Sequence, residues 1–120
     1  MQHEITKYLF DIQSSIDSIF EFLGTQRDFS TYLSNKLLRR GVERELEIIG
    51  EAAKNLLKIN NAIDIENARK IIDLRNFISH GYDKVDDTII WGIVNKHLPL
   101  LKTQVENLLE KHQKEKIKAS

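Results

Sequence analysis

The sequence predicts an all-α fold, an antiparallel bundle of four to five helices forming a single domain over residues 1–120. Three observations predict it. Helix breakers are sparse, with one proline and five glycines in 120 residues, and few consecutive β-branched residues favour strands. Apolar residues recur at three-and-four spacing through four long stretches. The connections between those stretches are short, which lays successive helices side by side and antiparallel.

The first stripe is Ile5, Tyr8, Leu9, Ile12, Ile16, Ile19, Phe20 and Leu23, and it stops at Gly24, a residue suited to closing a helix. Asp28 to Ser34 reads as a turn, with aromatics at Phe29 and Tyr32. A second long helix then runs to about Lys58 with Val42, Leu46, Ile49, Ala53 and Leu56 buried and Arg44, Glu47 and Glu51 on its polar face. Gly41 costs about 1 kcal/mol of helix propensity relative to Ala, so a kink or break is expected there. Gly50, Ala52 and Ala53 are small enough to admit a neighbouring helix closely.

Asn60-Asn61-Ala62-Ile63-Asp64 is a loop, and Asp64 is the expected N-cap of a third helix whose stripe is Ile65, Ala68, Ile71 or Ile72, and Leu74. That helix is expected to end at His80, where Gly81 permits a left-handed closure. Asp86 or Asp87 caps a fourth stretch carrying Ile89, Ile90, Ile93, Val94, Leu98, Leu101, Val105 and Leu108. Pro99 interrupts it, which predicts one kinked helix or two helices parted near His97. From Lys111 onward the stripe is lost, and the end bearing Lys111, Lys114, Lys116 and Lys118 is expected to fray.

Composition narrows the function. Eighteen basic residues balance eighteen acidic ones, so no overall charge points to nucleic acid or a membrane surface, and any RNA contact must be local. Cysteine is absent, which removes disulfides, thiolate catalysis and thiolate metal sites. Met1-Gln2-His3-Glu4 begins no apolar signal core, and no apolar run approaches the roughly 18 residues of a membrane span. A soluble, cytoplasmic protein is expected.

Chemistry concentrates in Arg75-Asn76-Phe77-Ile78-Ser79-His80-Gly81-Tyr82. On an ideal helix Arg75 and Ser79 lie about 40° apart, with Tyr82 on the same side if the helix reaches it, and Asn76 and His80 form a second pair four residues apart. Arg75 and His80 diverge by about 140°, so one helix presents them as flanks of a groove. A second copy across a two-fold axis would supply the facing wall, which predicts a homodimer. The set suits RNA cleavage without a metal. Imidazole can take the 2′-hydroxyl proton or protonate the leaving 5′-oxygen, and guanidinium can hold the phosphorane oxygens bidentately. Asn76 would orient His80. The bland reading is a helix C-terminus where His80 complements the macrodipole, Arg75 pairs with an acid and Tyr82 packs with a wet hydroxyl. Spacing alone favours that bland reading, because such residues are common on helix faces.

Other candidates are weaker. His3, His97 and His112 show no metal-binding spacing with one another or with His80, so no metal site is expected. Glu47 and Glu51 read as a solvated face beside Arg44 rather than an acid and base pair. Arg39, Arg40 and Arg44 form a basic cluster able to follow an RNA backbone, diluted by Glu43, Glu45 and Glu47. Trp91 reads as core or dimer interface rather than a stacking platform. With no glycine-rich phosphate loop or GxSxG elbow, no cofactor is expected.

Spelled as a pattern, the dense stretch is Arg, four residues, His, one residue, Tyr, which resembles the signature of HEPN-domain ribonucleases, particularly the HepT-like toxins encoded beside a minimal nucleotidyltransferase antitoxin. The likeness extends to Val42-Glu43-Arg44-Glu45-Leu46-Glu47-Ile48-Ile49-Gly50-Glu51-Ala52, which is similar to the family's second helix, and to Val85-Asp86, Trp91 and Leu98-Pro99, similar to its final helical region. The resemblance implies an all-α bundle, a homodimer with the motif at the shared cleft, metal-independent endoribonuclease activity on RNA, and neutralisation by the antitoxin. By that resemblance Arg75 and His80 are the catalytic pair, Asn76 their neighbour and Tyr82 the adenylylated residue, while Ser79, on the same polar face, is expected to support the pair with Asn76. Some relatives serve as a binding subunit instead, so a non-catalytic module docking a nucleotidyltransferase or its substrate is the alternative. One departure is that Glu66-Asn67-Ala68 lacks the tryptophan expected upstream of the motif arginine, which bears on helix-start packing or partner contacts.

Overall fold

The computed structural model describes residues 2–25, 27–79 and 86–119, and for residues 2, 75–79 and 116–119 the backbone only. Helix α1 (Gln2–Leu23) buries Ile5, Leu9, Ile12, Ile16 and Ile19, the expected stripe. It ends where Gly24 takes φ 67° and donates its amide to the Phe20 carbonyl at 3.0 Å, a left-handed closure open to glycine at little strain.

The segment expected to be a turn is a short helix, α2 (Phe29–Ser34). Asp28 caps it. Its carboxylate accepts from the amides of Ser30 (3.4 Å) and Thr31 (3.3 Å) and from the Thr31 hydroxyl at 2.8 Å. Six residues are too few to display a periodic stripe, so capping chemistry carries the signal here. Asn35 then caps α3 (Lys36–Ile59), accepting from the Leu38 amide at 3.0 Å.

Helix α3 runs unbroken through Gly41, where a kink was expected. A Cβ at Gly41 would stand 3.3 Å from the Phe22 ring. The glycine therefore admits a close approach by the end of α1 rather than breaking its own helix. Val42, Leu46, Ile49, Ala53 and Leu56 are buried as the stripe requires, and Gly50 and Ala52 are buried with them inside the one chain.

Asp64 does not cap the third helix. A 3₁₀ turn at Glu66–Ala68 starts from Ile65 without a side-chain cap and leads into α4 (Arg69–Ser79). The Asp64 carboxylate instead accepts from Gln104 Nε2 at 3.1 Å, a tertiary partner that takes precedence over the local one. Ala68, Ile71 and Leu74 are buried. The expected helix end at His80 and closure at Gly81 lie outside the described residues.

Asp86 caps α5 (Asp87–Gly92), its carboxylate accepting from the Thr88 amide at 2.9 Å. A wide π turn, Ile93–His97, follows, in which the Leu98 amide reaches back five residues to the Ile93 carbonyl, and α6 (Leu98–Ala119) then begins. The expected parting near His97 is there. Pro99 falls in the first turn of α6, where its missing amide hydrogen is tolerated, and the wide turn just before it absorbs the mismatch with α5. Ile89, placed in the stripe by the sequence, is 54% exposed, since it adjoins Ile90 at a different angle and Ile90 takes the inward position. The end expected to fray stays helical to Ala119. Lysine, glutamate and glutamine are good helix formers, and Lys114 pairs with Glu110 one turn away at 3.2 Å.

Helix α3 packs along α1 and along α4, while α6 packs on α1, giving one all-α bundle around a continuous core. Among the described residues no helix is long and apolar enough to cross a membrane.

Candidate functional site

Arg75, Asn76 and Ser79 occupy the last turns of α4, whose backbone is helical to Ser79. They therefore keep the helical register that the sequence suggested. His80 and Tyr82 lie outside the described residues. The described ends that flank the motif segment are held by burial and capping. Leu74, next to Arg75, is 7% exposed in the core. On the far side, Asp86 caps α5, and Asp87 faces Arg39 of α3 at 3.9 Å. Trp91 anchors α5 further, its ring centroid 5.7 Å from Phe29 and 5.2 Å from Tyr32. Trp91 thus packs against the chain's own aromatic residues, in keeping with a core role.

A groove of about 550 Å³ opens beside these ends, between α4 and the α5–π-turn segment. Among the described residues Lys70, Asp73 and Leu74 line it from α4, and Asp86, Thr88, Ile89, Gly92, Ile93, Lys96 and His97 line it opposite. The size lies within the roughly 300–1,000 Å³ of small-ligand pockets. His97 is the groove's titratable ring. Burial first, and then the ammonium groups of Lys70 and Lys96, hold its pKa below the ordinary 6.5, so the neutral imidazole prevails near neutrality.

A chain of hydrogen bonds fixes that ring. Gln104 donates through Nε2 to the Asp64 carboxylate at 3.1 Å, Asn67 donates through Nδ2 to Gln104 Oε1 at 3.2 Å, and Asn67 Oδ1 lies 3.3 Å from His97 Nδ1. A carboxylate only accepts, so the direction of every bond follows from Asp64. The Asn67 oxygen faces His97, and Nδ1 must carry the hydrogen.

A second polar cluster lies between α2, α3 and α5. Tyr32 is 1% exposed, and its hydroxyl and Arg39 Nε are buried without a hydrogen-bond partner among the described residues. Burial pushes the Tyr32 phenol far above its ordinary range, with the Asp87 and Glu43 carboxylates adding to the shift and Arg39 opposing it. Burial likewise raises the Glu43 carboxyl, against the pull of Arg40.

These contacts revise the basic cluster read from the sequence. Arg39 is turned to Asp87 at 3.9 Å and Arg40 to Glu43 at 3.3 Å, while Arg44 is exposed. Among the described residues no group of three or more histidine, cysteine, aspartate or glutamate side chains is arranged to hold a metal ion. The groove residues Lys70, Lys96 and His97 escaped sequence reasoning because nothing in their spacing links them. Only the fold brings Lys70 of α4 across the groove from Lys96 and His97.

The model for the family described as ribonuclease HepT-like matches residues 12–108. A protein of Methanocaldococcus jannaschii named a putative RNase is 33% identical over 88% of this chain and 96% of its own length. A protein of Thermococcus cleftensis named a probable ribonuclease HepT is 34% identical over 90% of this chain and 98% of its own. A second Methanocaldococcus jannaschii protein, also named a putative RNase, is 28% identical over 91% and 94%. No solved structure matches the chain.

Proposed function

Since this chain belongs to the ribonuclease HepT-like family, we propose that it is a metal-independent endoribonuclease acting in the cytoplasm as the toxin of a two-component system. The observation that carries this reading is the match across most of the chain to a ribonuclease family, with Arg75 on the last turns of α4 and the sequence continuing to His80, Gly81 and Tyr82. His80 serves in proton transfer. As base it takes the 2′-hydroxyl proton, the freed oxygen attacks the adjacent phosphorus, and the bond to the 5′-oxygen breaks once that oxygen is protonated, leaving a 2′,3′-cyclic phosphate. Arg75 holds the non-bridging oxygens as negative charge builds on them, supplying the stabilisation a metal would otherwise give. A homodimer brings a second Arg75 and His80 to the cleft, with Asn76 and Ser79 supporting.

The test is cleavage of RNA in chelator. Wild type is expected to leave cyclic-phosphate ends, and Arg75→Ala or His80→Ala to cut roughly 10²–10⁴-fold more slowly. Equal cutting by the variants, or none by wild type, overturns the assignment. Regulation completes the reading: a nucleotidyltransferase antitoxin adenylylates Tyr82. The added phosphodiester charge beside Arg75 competes with the RNA phosphate. Intact mass after incubation with that enzyme, ATP and magnesium is expected to rise for wild type and not for Tyr82→Phe.

A further inference from the structure

Glycine at position 92 has no packing reason. It sits in the last turn of α5 with helical dihedrals, it is exposed, and a Cβ there would meet nothing within 4 Å. A helical glycine costs about 1 kcal/mol relative to alanine, yet neither positive φ nor close approach requires it here. What the missing side chain does is keep one edge of the α4/α5 groove open, since Gly92 lines it.

The rest of the groove is chemically complementary to a ribonucleotide. Lys70 and Lys96 approach from opposite walls, and among the described residues neither is ion-paired. Both are near enough to His97 to act on its imidazole. The Asp64–Gln104–Asn67 relay puts the hydrogen of His97 on Nδ1, which leaves Nε2 of the neutral ring with a lone pair. Such a nitrogen accepts from a hydroxyl, and the hydroxyl that distinguishes RNA from DNA is the ribose 2′-OH. Ile89, 54% exposed, offers apolar surface for a base above the buried Leu74 and Ile93, and Asp73 offers its exocyclic amine an acceptor.

We propose that this groove is a ribonucleotide subsite adjoining the cleavage motif, in which Lys70 and Lys96 hold a backbone phosphate, His97 Nε2 accepts from the 2′-hydroxyl, and the base lies over Ile89 beside Gly92. The inference rests on the ribonuclease reading for its substrate, and it assigns RNA recognition to residues outside the motif.

Binding to His80→Ala protein, measured by fluorescence anisotropy with a labelled single-stranded RNA and the DNA of the same sequence, separates the two claims. Adding Lys70→Gln and Lys96→Gln should weaken binding of both strands and reduce the dependence of log affinity on log salt by about 0.7, the value for the one phosphate they hold. His97→Ala should reduce the preference for RNA over DNA about tenfold, the loss of one 2′-hydroxyl hydrogen bond, and leave DNA affinity near its starting value. Gly92→Leu fills the groove and should weaken RNA binding while thermal stability holds or rises, which separates blockage from misfolding. If wild type cuts no RNA but these dependences appear, the cleavage reading fails and the subsite stands. Variants that match the His80→Ala parent in affinity, salt slope and RNA preference overturn the subsite, as does the absence of any RNA binding by that parent.

Discussion

Tyr32 offers a sharp test of how the α2–α3–α5 junction is held together. Its ring is packed against Trp91 at 5.2 Å between centroids and is 1% exposed, while its hydroxyl has no partner among the described residues. A buried hydroxyl left unpaired carries a desolvation penalty of about 1–3 kcal/mol, and replacing it by an apolar group of the same shape is neutral or favourable. Tyr32→Phe keeps the ring and removes the penalty, so it is expected to stabilise the protein by about 1 kcal/mol, or roughly 4 °C in Tm for a domain of this size. Tyr32→Ala removes the ring as well and is expected to destabilise by about 3–5 kcal/mol. Urea unfolding followed by circular dichroism reads both. A loss of about 1 kcal/mol or more in Tyr32→Phe refutes the reasoning, because the hydroxyl would then belong to a hydrogen-bonded network, with the buried Arg39 Nε as its nearest candidate member.

Two glycines should respond in opposite senses. Gly24→Ala forces alanine to φ 67° and should cost about 1 kcal/mol in urea unfolding. Gly41→Ala brings a methyl 3.3 Å from Phe22, but that ring is 48% exposed and free to swing, so the gain in helix propensity should prevail and stability should rise by up to about 1 kcal/mol. For His97 the sign follows from linkage. Its folded pKa is depressed below 6.5, so the unfolded chain binds the proton more readily. The stability of the neutral form is complete above the unfolded value and is lost as pH falls through it toward the folded one. His97→Gln should therefore lose less stability than wild type as pH falls from neutrality through 6.5 in paired denaturant titrations.

What the sequence made legible was periodic or local. The stripe from Ile5 to Ile19 and the one from Val42 to Leu56 appear in the structure as buried faces, because helical periodicity is a direct readout of which side meets the core. The Asp86 cap and the Gly24 closure were legible for the same local reason. Features decided by tertiary competition were not. Asp64 has the chemistry of an N-cap, yet Gln104, forty residues away, takes its carboxylate. Gly41 looks like a helix breaker until Phe22 is placed against it. Arg39 looks like part of a basic patch until Asp87 of α5 is brought to it. At the site, α4 carries Arg75, Asn76 and Ser79 in the register their spacing implied. The groove beside them joins residues 26 apart across the π turn, and no short pattern announces such a meeting.

The two described stretches that flank the motif bear on how the proposed Arg75 and His80 pair would be positioned for catalysis. Reaction within a bound complex is fast when the reacting groups are held in place beforehand, and small displacements of such groups are expensive in rate. Helix α4 is held by burial of Ile71 and Leu74 against the rest of the bundle, and this sets the position from which Arg75 extends. The return of the chain is set independently. The Asp86 cap fixes where α5 starts, Arg39 faces Asp87, and Trp91 lies between Phe29 and Tyr32. The π turn then carries the chain into α6, where Gln104 ties back through Asn67 to the start of α4. The described stretches on either side of the motif thus rest on one core, which also carries the residues proposed to hold RNA. On the proposed reading, alignment between cleavage and binding would rest on the packed bundle as well as on the eight-residue motif.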